Sequence, residues 1–389
     1  MRREGEYQIC TRCVMDTSDP EITFDDNGVC IHCHHYDTFY KNIEPFNLSS
    51  EKKEIELKKI INEIKSPGKN KIYDCIIGVS GGVDSSYTAY LVKKYGLNPL
   101  AVHLDNGWDS EHAVKNIESI VKRLDIDLYT HVIDWSEFRD LQKAFFKSSI
   151  IDLEILTDHA IFAIIYELAK KYRINYFISG VNYSSESTMP LSWYSGSKLD
   201  AGLLKSINKR FGNGKKLRTF PLVGFMTFLR NFPGLKRFDI LNYINYDYQK
   251  AKKLLIDELG WIDYGSKHYE SVFTRFYQGF ILPKKFGIDK RRAHLSSLIY
   301  SEQMSREEAL ELLKQDNYDS ELLRQDKEFL LKKLEFKEED FDKFLSEPKR
   351  DYREYKSYTR ILEENTLIKM LIKTGALIKK PFNKLFKLS

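Results

Sequence analysis

The sequence predicts an α/β protein built on a doubly wound parallel sheet, and three observations predict it. Short apolar runs alternate with helix-patterned stretches between residues 72 and 300, as in parallel strands joined by covering helices. The first run, Asp74–Val79, breaks into a glycine–serine loop that opens a helix. Polar loops also follow the second and fourth runs, at the strand ends where open parallel sheets collect ligands.

The elements follow in order. Residues 1–45 hold two cysteine pairs separated by turn-forming residues. Residues 46–71 read as a connecting helix, with Ile55, Ile60, Ile61 and Ile64 at helical spacing and a stop at Ser66-Pro67-Gly68. In the 72–300 domain, strands are expected at Tyr73–Val79, Leu100–Leu104, Leu128–Ile133 and Tyr176–Ser179. Helices are expected at Ser85–Tyr95, Glu111–Leu124, Glu137–Ser148 and Asp158–Tyr172. The segment 181–240 is rich in Gly, Ser, Asn and aromatics and reads as long functional loops with short helices. Residues 301–389 read as a helical extension with a basic tail, opened by the capping box Ser305–Glu308.

At 389 residues the chain is long enough for a full enzyme core and more than one structural unit. The opening Met1-Arg2-Arg3-Glu4-Gly5-Glu6 is no apolar signal core, and no stretch suits a bilayer span, so a cytoplasmic location is expected. The net charge of +5 comes from the tail: residues 365–389 carry six lysines and no acid, leaving 55 basic against 56 acidic side chains before it. A nucleic-acid binder shows its basic excess on the binding domain, so no nucleic-acid partner is expected. The tail mixes apolar residues with its lysines. Its plain reading is a terminal helix packed on its own protein, and the same mixture also suits an anionic membrane surface or a partner.

Ser80, Gly81, Gly82, Val83, Asp84, Ser85 and Ser86 follow the first apolar run. Glycines let backbone amides approach an anion, serine hydroxyls add donors, and a helix N-terminus favours negative charge. Asp84 is an odd member of an anion cradle and makes sense when Mg2+ bridges it to phosphates. The lysine of the Gly-x4-Gly-Lys loop is missing. The arrangement resembles the pyrophosphatase loop of GMP, NAD, asparagine and argininosuccinate synthetases, which implies ATP held by its β,γ-pyrophosphate while a substrate oxygen attacks the α-phosphorus. His103 and Asp105 close the second strand, where adenine and ribose lie in such folds. Gly180 and Asn182 close the fourth, and Glu186 behind them is a candidate second magnesium ligand or substrate contact.

Cys10-x2-Cys13 and Cys30-x2-Cys33 have the spacing of a four-thiolate zinc ribbon or knuckle. Four thiolates leave no open position, so a Zn2+ there is structural and tethers a segment too short for a core of its own. An iron–sulfur cluster is the rival ligand. Cys75 lies inside the first strand and reads as a small buried residue. Between residues 284 and 292 five basic side chains interleave with Phe and Ile. Lys285, Lys290 and Arg291 are the candidates for meeting the triphosphate and the departing pyrophosphate.

Together the stretches Cys10–Thr17, Asp25–Cys33, Ser80–Ser86 and Phe273–Ser296 resemble the N-acetyl sugar amidotransferase family of bacterial surface-polysaccharide biosynthesis, over most of residues 7 to 315. The loop is shared by many synthetases, whereas the cysteine preface joined to Gly287-Ile288-Asp289-Lys290-Arg291 is far more specific. The resemblance implies conversion of an acetamido group on a sugar, nucleotide-linked or a nonulosonic acid, to an acetamidino group through an O-adenylyl imidate. The long 181–240 loops then suit a lid that keeps water from the intermediate. A fused glutaminase needs a cysteine at the mature N-terminus or on a nucleophile elbow. Residue 2 is Arg and Cys75 is in a strand, so ammonia is expected from a separate glutaminase subunit resembling that of imidazole-glycerol-phosphate synthase. Two rivals remain. One is an ATP-dependent tRNA-modifying enzyme of the thiolase or lysidine synthetase type, and the other is a non-catalytic zinc-ribbon scaffold.

Overall fold

The computed structural model describes residues 7–65, 71–230, 234–265 and 269–365. The basic tail, and with it the expected membrane or partner contact, lies outside the described residues. Before the sheet come α1 (Ile31–Thr38) and α2 (Ser50–Lys65). The buried stripe of α2 is Leu57, Ile61 and Ile64, while Ile55, expected on that face, is 63% exposed.

Four strands stand where the apolar runs predict them: β1 (Cys75–Gly78), β2 (Pro99–Asp105), β3 (Asp127–Val132) and β4 (Tyr176–Ser179). All pair in parallel. A fifth strand, β5 (Lys236–Asp239), adds to β4, giving the order β3-β2-β1-β4-β5. It falls inside the segment expected to be loop. Its Lys-Arg-Phe-Asp run has one buried apolar residue, Phe238, so an edge strand of this kind leaves no apolar signature.

The linking helices are α3 (Val83–Lys94), α4 (Glu111–Arg123), α5 (Trp135–Ser148) and α6 (Ile155–Tyr172). Between β4 and β5 lie α7 (Tyr183–Glu186), α8 (Ala201–Phe211) and α9 (Phe225–Arg230), and α10 (Tyr248–Leu259) follows β5. Beyond them α11 (Val272–Phe276) runs into a π-helix (Tyr277–Phe286). The chain continues through α12 (Arg291–Tyr300), α13 (Arg306–Lys314), α14 (Ser320–Leu334), α15 (Glu338–Ser346) and α16 (Tyr358–Glu364). The capping box at Ser305 and Glu308 forms at the start of α13.

Strand side chains alternate between faces, and here the alternation feeds two cores. Ile76, Leu100, Val102 and Leu104 point to one side, where Phe138, Phe145 and Phe146 of α5 and Ile164 and Leu168 of α6 cover them. Cys75, Ile77 and Ala101 point to the other, against α2, α3, α4 and α10. The first core continues without a break into Phe276, Leu330, Leu334, Phe341, Phe344 and Tyr355. Among the described residues, no helix is long and apolar enough to cross a membrane.

Candidate functional site

The crossover of the sheet lies between β1 and β4, which leave in opposite directions. Open α/β sheets hold ligands in the crevice at this point. Gly81 occupies φ +80°, and a Cβ there would stand 2.6 Å from the Ala113 carbonyl oxygen, so only glycine fits. The Gly81 carbonyl accepts from Trp261 Nε1 at 2.9 Å and from the buried Asn116 amide at 3.4 Å, which turns it into the protein. Ser85 Oγ accepts from Ser80 N at 3.2 Å and donates to Gly82 O at 3.1 Å, tying the loop across the first turn of α3. Val83 and Ser86 face inward, 3% and 2% exposed. The result is a backbone cradle at a twelve-residue helix whose N-cap, Gly82, supplies no capping side chain.

Asp84 accepts a hydrogen bond from the Tyr246 hydroxyl. Burial, then the Asp84 charge, pushes the Tyr246 phenol far up, so it remains a donor. The two crossover loops touch: a Cβ on Gly180 would lie 2.9 Å from Asp84 O. Asn182 caps α7 by accepting from Ser185 N at 3.0 Å, and its Nδ2, fully buried, has no partner among the described residues. A buried amide donor at this edge suits a ligand acceptor. Glu186 ends α7, and its charge acts on Tyr246 and Asp239. A carboxylate beside an anion cradle tolerates phosphate when a cation lies between. Asp84 and Glu186 both act electrostatically on Tyr246.

At the end of β2 the geometry departs from expectation. His103, expected to touch the nucleotide, is 8% exposed, and the protein holds both its ring nitrogens. Nδ1 lies 3.1 Å from Val79 O and Nε2 3.2 Å from Asp109 Oδ2. Two acceptors call for two N–H donors. Burial pulls the His103 pKa down, but the Asp109 bond and charge outweigh it, and the pKa stands above the ordinary value. His103 is thus a fastener between β1, β2 and the loop after it. Asp105 accepts from Gly107 N at 2.9 Å. Lys333 of α14 donates to the Gly107 carbonyl and lies over Trp108, Trp135 and Phe329 at 4.8–5.1 Å.

The structure separates the three expected phosphate cations. Lys285 donates to the carbonyls of Phe344 and Glu347 at the end of α15, with its ammonium 4.4 Å from the Phe344 ring centre. Arg291 holds Asp289 at 2.7 Å and the Gln315 carbonyl at 3.0 Å. Neither contacts the loop, which corrects their expected role. The reason is directional: Lys285 lies near the end of the π-helix and Arg291 starts α12, so their side chains leave the chain in different directions. Lys290 is different, its nearest anion being Glu154 at 3.9 Å.

Several residues had no signal in the sequence. Tyr246 is one tyrosine in an aromatic run. Tyr264 and Glu270 flank Gly82, 3.5 and 3.6 Å from where its Cβ would be. Lys198 is buried between Asp152 at 3.2 Å and Asp158 at 2.5 Å. Only a folded chain brings such pairs together.

The four paired cysteines are all fully buried, with ligand atoms within 4.8 Å of one another. Cys10–Cys33 and Cys13–Cys30 stand at 3.6 Å, and Cys30–Cys33 at 3.7 Å. A tetrahedron of Zn–S bonds has sulfur–sulfur edges of about 3.8 Å, so the thiolates fit one tetrahedral ion. A cluster with several irons between its thiolates needs a wider cage.

Residues 55–189 match the NAD synthase family model, and residues 270–370 match the model described as LPS biosynthesis protein WbpG-like, C-terminal domain. An uncharacterized protein of Methanocaldococcus jannaschii is 32% identical over 137 residues, covering 34% of this chain and 46% of that protein, so the chain spans about half of its relative's length. Among solved structures, an NH3-dependent NAD synthetase from Campylobacter jejuni is 18% identical with a TM-score of 0.28, over 36% of this chain and 59% of that one. An NMN synthetase from Francisella tularensis is 15% identical with a TM-score of 0.29, over 59% of this chain and 93% of that one. The two family matches fall on separate stretches of the chain, the first holding the Ser80–Ser86 loop and the second most of the C-terminal helices.

Proposed function

We propose that the chain is the synthetase component of an amidotransferase that converts the acetamido group of a sugar to an acetamidino group in O-antigen or surface-glycan synthesis. One observation carries the reading: a single chain joins the Ser80–Ser86 cradle at the sheet crossover to a region matching an LPS-biosynthesis domain. In the reaction the loop amides and serine hydroxyls hold the β,γ-pyrophosphate. The acetamido oxygen attacks the α-phosphorus, and the bond to pyrophosphate breaks. Ammonia then adds to the activated carbon, the carbon–oxygen bond to AMP breaks, and nitrogen releases a proton. Products are the acetamidino sugar, AMP and pyrophosphate.

Mg2+, when bound, offsets the phosphate charge, and Asp84 with Glu186 would hold it. Of the three cations expected at the phosphates, Lys290 is the one left to face substrate or phosphate. Four of the five cysteines belong to the knuckle. The fifth, Cys75, is fully buried in β1, where burial raises its thiol pKa. That favours ammonia from a separate glutaminase and weighs against a tRNA thiolase, which needs a reactive thiol near ATP.

The test is mass spectrometry of acetamido sugars, free and nucleotide-linked, incubated with the protein, Mg-ATP and ammonium. We expect a product lighter by about one mass unit, from exchange of oxygen for NH, and AMP in equal amount. ADP in place of AMP, or AMP without the mass change, sinks the reading.

A further inference from the structure

We propose that the four-thiolate knuckle, beyond tethering the N-terminal segment, positions the turn from Asn182 to Glu186 by way of helix α12. The inference rests on the ATP-site reading above, because that turn forms one wall of the nucleotide crevice.

Helix α12 is held on two faces. Toward the knuckle, Val14 N donates to Ser296 Oγ at 3.2 Å. Arg292 donates to Val14 O at 2.8 Å and pairs with the buried Asp16 at 2.9 Å. Tyr300 brings its hydroxyl within 3.5 Å of Cys33 Sγ. From the start of α13, Arg306 donates to the carbonyls of both Cys10 and Cys13, at 2.8 and 3.1 Å. These carbonyls face one arginine together because the first cysteine pair is folded around its sulfurs.

Toward the nucleotide edge, the same helix and its C-cap, Ser301, hold residues 184–188 by three bonds. Ser301 Oγ donates to Ser184 O at 2.9 Å, and His294 Nδ1 lies 3.1 Å from Ser185 O. Ser297 Oγ accepts from Thr188 N at 3.0 Å. Glu186 sits inside the bracket they form. A shorter route runs beside it, with the Tyr40 and Phe46 rings against Tyr183 at 5.1 and 5.2 Å and Ser192 bonded to Asp19 at 2.7 Å.

α7 is four residues long, too short to hold itself in place. Its conformation is set by what grips it. A knuckle of this size depends on its ion for folding, so loss of the ion releases the Val14, Asp16 and Cys10 anchors and frees one face of α12. The grip on residues 184–188 then loosens, and Glu186 and the Asn182 cap lose their register with Asp84. Ser297 and Ser301 are positioning residues, acting on the site through the turn.

The experiment compares full-length protein, zinc-loaded and stripped by a chelator, with Ser301→Ala and Arg292→Met variants that retain zinc by metal analysis. Two quantities are read: hydrogen exchange of peptides covering 183–188, and binding of α,β-methylene ATP with magnesium. Stripping is expected to speed exchange at 183–188 about tenfold while peptides in β1 and β2 stay protected. It is also expected to weaken analogue binding about fivefold or more. Ser301→Ala with zinc in place should reproduce the faster exchange. Unchanged exchange at 183–188 in the stripped protein overturns the proposal. Should stripping unfold the whole chain, the Arg292→Met arm decides, because Arg292 ties Val14 and Asp16 to α12, and normal exchange at 183–188 in that variant also overturns the proposal. An analogue that binds no form defeats the ATP-site reading, while the exchange arm still decides the coupling.

Discussion

The Ser80–Ser86 loop and the Lys284–Arg292 stretch are both short runs dense in chemistry, and they fold to opposite ends. In the loop, neighbours in sequence remain neighbours in function: Ser80, Gly82 and Ser85 bond to one another, and the backbone itself forms the cradle. In the basic stretch, neighbours scatter. Lys285 serves the end of α15, Arg291 serves Asp289 and the end of α13, and Arg292 serves the cysteine knuckle. A site made of backbone keeps its order when the chain folds. A site made of long side chains takes its partners from elsewhere, and density of charge says little about where each charge goes.

The largest effect should come from the backbone side of this contrast. Gly81→Ala puts a Cβ at φ +80° against the Ala113 backbone. We expect AMP formation to vanish and stability to fall by about 2 kcal/mol or more, read by denaturant unfolding. Normal turnover in that variant would break the claim that the loop depends on backbone geometry. A middle-sized effect should divide the basic run. Lys290→Ala is expected to lower kcat/KM about tenfold or more. Lys285→Met should leave kcat/KM within about twofold and instead cost about 1 kcal/mol of stability, through the lost carbonyl bonds at α15. Equal kinetic loss in both variants would mean that the stretch acts as a unit after all.

The smallest effect concerns the fastener behind the loop. Because His103 has a folded pKa above its unfolded one, its pairing stabilises the protein fully below the unfolded value of about 6.5 and loses that contribution as pH rises through the folded value. Asp109→Asn should therefore be destabilising at pH 5.5 and less so at pH 8.5, by thermal unfolding. A deficit that grows with pH would contradict a charged His103–Asp109 pair.

The same contrast explains what the sequence disclosed. β1, β2 and β4 are apolar runs bounded by turn residues, and buried strands must be apolar whatever surrounds them. The cysteine pairs disclosed their cluster because ligand spacing is a local constraint. β5 stayed hidden because Phe238 is its single buried apolar residue. Tyr246 was invisible as a partner for Asp84, with 161 residues of chain between them folding back on each other. The π-helix could not be anticipated from a stretch containing Pro283, a residue that ordinarily ends helices. His103 was placed correctly at the strand end, yet its task depends on Asp109 and Val79, which only the fold sets against it.

The uninterrupted packing from α5 into α14 and α15 has a practical corollary. Phe146 meets Phe336 and Phe344 edge-on and Phe341 at a tilt, at centroid distances of 4.9–6.3 Å. A chain cut near residue 300 would lay these rings open to water as a sticky patch and would free the Gly107 loop from Lys333. The C-terminal helices cannot be shed or exchanged like a bead on a string. A change of ligand would have to come from altered side chains along the crevice, with both halves travelling together.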